Sequence, residues 1–207
     1  MARPNPAAPK LRIAVLASGG GTTLQAVIDA CETGDLDAGI VLVISNNSAS
    51  GAIARAARHG VPTAHLSSHT HPEPERLDRA IAAALGECSP DVVLLAGYMK
   101  KLGSHTLEAY RGRIINTHPA LLPRHGGKGM YGDRVHAAVV EAGESVTGVS
   151  VHQVDAGYDT GPVLAQTEVR VEPGDDAASL AARVQATERR FLVDVLQRIA
   201  RGEVELS

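Results

Sequence analysis

From Leu11 onward the sequence alternates short aliphatic runs with longer stretches of helical spacing, and this alternation constrains the fold more than any other feature. Residues 11–17 read as a buried first strand that runs straight into Ser18-Gly19-Gly20-Gly21. Thr22 or Thr23 then caps a helix whose inward face is Leu24, Val27, Ile28 and Cys31. Further strands are expected at 40–44, 62–66, 91–97 and 113–116, with helices at 50–59, 75–85, 107–110 and 134–142 between or after them. Strand-style alternation returns at 146–152 and 163–169. Residues 177–201 form a long terminal helix with its apolar face at Leu180, Val184, Phe191, Val195 and Ile199. The expected fold class is α/β, an open and mostly parallel twisted sheet flanked by helices. Met1–Lys10, with three prolines and no apolar run, reads as a disordered N-terminal tail, and residues 11–207 as a single domain.

Composition narrows the function. With no Trp, one Phe and four Tyr, the core must be aliphatic, and there is little material for stacking single-stranded bases. A formal net charge of -3 supplies no basic field, so nucleic acid is not an expected partner. Cys31 and Cys88 are too far apart for a metal cluster or a disulfide framework, and His69-x-His71 sits in a proline-bearing polar connector that reads as solvated surface. No metal is therefore expected. The absence of a signal or spanning segment points to the cytoplasm and away from a membrane.

In open α/β sheets ligands sit beyond the carboxyl ends of the strands. The glycines at 19–21 offer approachable amides and a helix start that suit a phosphate. A dinucleotide fingerprint fails at Leu24, and no Walker lysine is present after it. Asn116 and His118, two residues apart on extended chain, project to the same side, and Pro119 and Pro123 stiffen the segment after them. An amide donor beside a titrating imidazole suits an oxyanion formed at a carbonyl carbon. Asp159, in the turn-rich stretch 155–162, is the candidate partner, and its charge beside His118 is expected to raise the imidazole pKa.

Asn116-x-His118-Pro119-x-Leu121-Leu122-Pro123 with, downstream, Asp159-x-Gly161-Pro162 resembles the folate-dependent formyltransferases. The opening Ser18-Gly-Gly-Gly-x-x-Leu24-Gln25, with 95–99 and Val184-Gln185-x-x-Glu188, narrows the resemblance to the phosphoribosylglycinamide formyltransferases. The resemblance implies transfer of a formyl group from 10-formyltetrahydrofolate to the amine of glycinamide ribonucleotide in purine synthesis, with Asn116, His118 and Asp159 catalytic. By the same carry-over Gly21, Thr22 and Thr23 face the substrate phosphate, and Gln185 and Glu188 its ribose. Met99, Lys100, Lys101, Leu102, Asn116, Asp155, Ala156, Gly157 and Tyr158 frame the folate, with Arg76 a candidate for its anionic tail. Thr23 stands where the family usually has Asn, and Lys100 where Arg is frequent, which leaves open another small amine, such as an amino sugar nucleotide, as acceptor. The loop 124–132 reads as mobile, with Lys128 able to add charge to a phosphate site. A monomer or homodimer acting on small molecules is implied.

Overall fold

β1 (Leu11–Ala17) alternates its side chains between two cores: Ile13, Val15 and Ala17 enter one, Ala14 and Leu16 the other. A strand buried on both faces needs helices on both sides, and the computed structural model, which describes residues 11–206, supplies them. The tail assigned to Met1–Lys10 lies outside the described residues.

The sheet has seven strands: β1, β2 (Ala38–Ser45), β3 (Thr63–His65), β4 (Val92–Leu95), β5 (Ile114–His118), β6 (Val146–Gln153) and β7 (Val163–Arg170). Their order is β3-β2-β1-β4-β5-β6-β7. The first five are mutually parallel, whereas β6 is antiparallel to β5 and β7 to β6. The chain leaves β1 toward one edge and resumes on its other side with β4, so the switch point, where ligands gather, lies between these two strands.

α1 (Thr22–Thr33), α2 (Gly51–Arg58) and α6 (Ala177–Ala200) cover one face through Leu24, Val27, Ala52, Leu192 and Val195. α3 (Pro74–Cys88) covers the other through Ile81 and Leu85. α5 (Asp133–Glu141) packs Val139 with Val149, Val169, Leu180 and Val184 in a third cluster. Burying each such aliphatic side chain is worth roughly 1.5–3 kcal/mol, so a core almost without aromatics is built from many modest contributions. None of the described helices is long and apolar enough to cross a membrane.

α1 departs from expectation at its start. Neither Thr22 nor Thr23 caps it; Gly21 takes the N-cap position at φ 72, and no side chain closes the first turn. By contrast α4 (Ser104–Ala109) is capped from a distance. Asp78 of α3, buried to 7% exposure, accepts from His105 N at 2.8 Å, Thr106 N at 3.2 Å and Thr106 Oγ1 at 2.6 Å. An added Cβ on Gly103 would collide with that carboxylate. The segment 99–102 leaving β4 is thus pinned where it ends. Asp78→Ala should lower the unfolding free energy by about 2–3 kcal/mol, since it strands buried donors that served a charged acceptor, as denaturant titration would show.

Candidate active site

β5 ends on Asn116-Thr117-His118, and its pairing with β6 sets Asn116 opposite His152 and His118 opposite Ser150. His152 Nδ1 donates to the Gln153 carbonyl at 2.8 Å, which leaves Nε2 to accept from Asn116 Nδ2 at 3.1 Å. One amide hydrogen of Asn116 is so used; the second remains for a ligand. Ser150 Oγ donates to Ala120 O at 2.6 Å and accepts from Leu122 N at 3.0 Å, which fixes the turn after His118. Sequence reasoning passed over His152 and Ser150. Their signal was parity: both stand on the same side of a strand whose other side is Val149 and Val151.

Asp159 arrives on the loop from β6 to β7. Asp155 Oδ1 accepts from Gly157 N at 2.8 Å and Thr160 Oγ1 at 2.7 Å, winding the loop tightly. A Cβ on Gly157 would strike Thr160 Oγ1, and one on Gly161 the Gln153 carbonyl, so neither glycine has room for a side chain. Asp159 itself sits at φ 56, a left-handed conformation that costs a non-glycine residue on the order of 1 kcal/mol. Its Oδ2 lies 3.6 Å from His118 Nδ1 and accepts from Gly127 N at 2.9 Å, while Oδ1 lies 3.5 Å from His152 Nε2. On its other side His118 Nε2 donates to the His125 carbonyl at 2.8 Å.

The electrostatics correct one expectation. Burial pushes the His118 pKa down, and the opposing pull of Asp159 and of the His125 carbonyl does not make up the difference, so His118 titrates below its ordinary value of 6.5. The residue is 3% exposed, and imidazolium loses more hydration there than one carboxylate returns. For Asp159 the balance runs the other way. Burial raises its pKa, but the nearby His152 ring, the hydrogen bond from Gly127 N and the proximity of His118 outweigh it, holding the carboxyl below the ordinary range.

A cavity of about 530 Å³ opens beside this cluster, beyond the ends of β4 and β5. Its lining includes Met99, Lys100, Lys101, Leu102, Asn116, Asp155, Gly157, Tyr158 and Asp159. Ala156 instead lines a smaller neighbouring cavity. His118 stands behind Asp159 rather than in the wall. Met99 N donates to Ser18 Oγ at 2.8 Å, tying the cavity edge to the end of β1. Lys128 is in the same wall as Lys100 and Lys101, not at the glycine loop; Lys101 stacks over Tyr158 at 5.2 Å and Arg134 over Tyr131 at 5.0 Å. Arg76 is not brought to this cavity: it pairs with Glu73 at 2.9 Å in solvent.

The glycine loop is held by its carbonyls. Gly19 O accepts from Ala52 N at 3.2 Å and Gly20 O from Arg55 Nε at 2.9 Å, with Arg55 Nη1 also donating to Gln25 at 3.0 Å. At Gly21 a Cβ would come within 2.7 Å of Ala52 Cα, so only glycine fits there. Gly21 and Thr22 lie at the uncapped start of α1, but Thr23 turns its hydroxyl to Glu188 on α6, which also accepts from Thr117 Oγ1 at 2.6 Å. Burial pushes the Glu188 pKa up, against the opposing pull of Thr117 and Thr23. Gln185 is exposed one turn earlier on α6 and, among the described residues, makes no hydrogen bond to this group. Thr117 lies between Asn116 and His118, so the two clusters share β5.

NMR titration of the His118 ring in the ligand-free protein should give a midpoint below 6.5, and Asp159→Asn should lower it further, because burial then acts with less opposition. A midpoint that rises on this substitution would contradict the geometry.

The sequence profile of the formyl transferase family matches residues 11–196. The chain is 42% identical over 196 residues to phosphoribosylglycinamide formyltransferase of Mycobacterium tuberculosis, covering 94% of this chain and 87% of that one. It is 37% identical to the human trifunctional purine biosynthetic protein adenosine-3 over 95% of its own length, but spans only 19% of that protein. The solved structure of glycinamide ribonucleotide transformylase 1 from Symbiobacterium toebii superposes with a TM-score of 0.88 at 36% identity, covering 95% of this chain and 91% of that one.

Proposed function

The chain belongs to the formyl transferase family, and from that premise we propose that residues 11–207 form a single domain that transfers the formyl group of 10-formyltetrahydrofolate to the amine of 5-phosphoribosylglycinamide in cytoplasmic purine synthesis. The observation that carries this reading is that Asn116 and Asp159 line the 530 Å³ cavity with His118 directly behind Asp159. That volume falls within the roughly 300–1,000 Å³ of small-molecule sites. Met99–Leu102 and the 155–158 loop offer the donor an apolar slot edged by extended chain. The acceptor's phosphate is assigned to the amides at 20–22, and its sugar hydroxyls to Glu188.

As the amine attacks the formyl carbon, negative charge develops on the formyl oxygen, where the second amide hydrogen of Asn116 stabilises it. The attacking nitrogen must shed a proton. Asp159 lies in the cavity wall with His118 behind it, and a resting neutral His118 with Nδ1 toward Asp159 makes the pair a proton acceptor. Once charged, the ring donates to the His125 carbonyl from one nitrogen and faces the Asp159 carboxylate with the other. The same pair then returns the proton to the departing folate nitrogen.

Loss of formyl donor should depend on the ribonucleotide acceptor, and His118→Ala should reduce turnover by on the order of 10²- to 10³-fold. Donor loss without acceptor would replace this reading with hydrolysis. The phosphate assignment has its own check. A Cβ on Gly20 meets nothing within 4 Å, so Gly20→Val should fold normally yet raise the acceptor KM by about tenfold or more, at nearly constant donor KM. An unchanged acceptor KM would move the phosphate elsewhere.

A further inference from the structure

Arg124 and His125 open the glycine-rich loop, and both side chains end on one carboxylate in the turn after α5. Arg124 Nη1 is 3.0 Å from Glu144 Oε2, and His125 Nε2 is 3.3 Å from Oε1. Each oxygen serves one partner. Between these side chains the backbone of His125 is left-handed, at φ 53. A non-glycine residue in that conformation costs on the order of 1 kcal/mol and persists only where its surroundings over-determine it. Here the surroundings are Glu144. What the conformation achieves is the aim of the His125 carbonyl, which accepts from His118 Nε2 at 2.8 Å.

We propose that Glu144 is a positioning residue for formyl transfer: by anchoring Arg124 and His125 it fixes the carbonyl that orients the His118 ring and favours its charged form. The inference rests on the role given to His118 above. Glu144 is not part of the cavity wall, and its side chain is 24% exposed, so it does not act by touching a ligand. The titratable groups that act on His118 are Asp159 from the β6–β7 loop, His152 from β6, His125 from the loop and His136 from α5. Of these four only Asp159 is an acid. The carbonyl is therefore the acceptor that holds the neutral ring, and in the charged form it becomes one of two, with Asp159 facing the other nitrogen. Without it the ring loses the hydrogen bond that fixes its orientation, and with it the alignment of Nδ1 on Asp159.

The test compares wild type, Glu144→Ala and Glu144→Gln by three readings: the His118 NMR titration without ligands, kcat and both KM values, and thermal melting. In Glu144→Ala, His118 should bind its proton about threefold more weakly, because hydrogen bonds from a charged donor are the stronger ones. kcat should fall on the order of tenfold while both KM values stay within about twofold. Gln keeps one oxygen acceptor, enough for one of the two anchored side chains, so it should fall between Ala and wild type in both readings. If Ala does not fold, Gln alone decides, and wild-type values for its His118 titration and kcat would overturn the proposal. So would a folded Glu144→Ala with an unmoved His118 titration, or a loss of kcat that only tracks a lower folded fraction. Absence of turnover in wild type would instead fail the formyl-transfer reading, while the His118 titration would still decide the link to Glu144.

Discussion

Because β6 runs antiparallel to β5, His152 comes to lie directly against Asn116 and Ser150 against His118. A parallel neighbour would deliver its carboxyl end, and the loop beyond it, on the same side as that of β5. The reversal instead sends the polypeptide out of β6 at Ile115 and lets the 155–162 loop fold back over the cavity with Asp159 at its tip. The direction of one strand thus decides which side chains can meet. Hydrogen bonds from the backbone then refine the meeting: Gln153 O sets the His152 tautomer, and Gly127 N and His125 O hold Asp159 and His118.

Within that frame the His118–Asp159 pair is a contest between hydration and proximity. A buried imidazole resists charge, and a carboxylate at 3.6 Å invites it. The structure resolves the contest toward a neutral ring with an ionised neighbour. A base held below its ordinary proton affinity readily releases what it takes up, which suits the proton transfer proposed for it. A ring whose charge was fixed by a dominant carboxylate would accept nothing.

Much of this was legible in the sequence, and the limits of legibility have physical causes. Periodicity located every strand and helix to within a few residues, since a sheet buried on both faces demands unbroken aliphatic runs. The pairing of 116 with 118 followed from their spacing on extended chain, whereas Asp159 as partner and most of the cavity lining were implied by the resemblance to the formyltransferases. The direction of the His118 shift followed from neither, because burial is a property of the folded surroundings and not of neighbours along the chain. The start of α1 differs from its sequence signal for a similar reason. Thr23 has a good capping side chain, but a carboxylate 165 positions away competes for its hydroxyl. Arg76 has the charge an anionic tail needs, but a glutamate three residues earlier already holds it.

The bridge formed by Thr23, Glu188 and Thr117 carries a consequence for affinity. Two hydroxyls from different elements converge on one carboxylate, which is the pattern a vicinal diol presents. The protein thus contains an internal imitation of the sugar edge it is proposed to receive. A diol that binds at Glu188 exchanges hydroxyl contacts already made for its own, so hydrogen-bond count changes little and the net gain at that point is small. Selectivity there comes from shape. A ligand whose hydroxyls are fixed at the right separation by a ring replaces two independent side chains, returns their rotational freedom, and is favoured by entropy over a floppy polyol with the same functional groups.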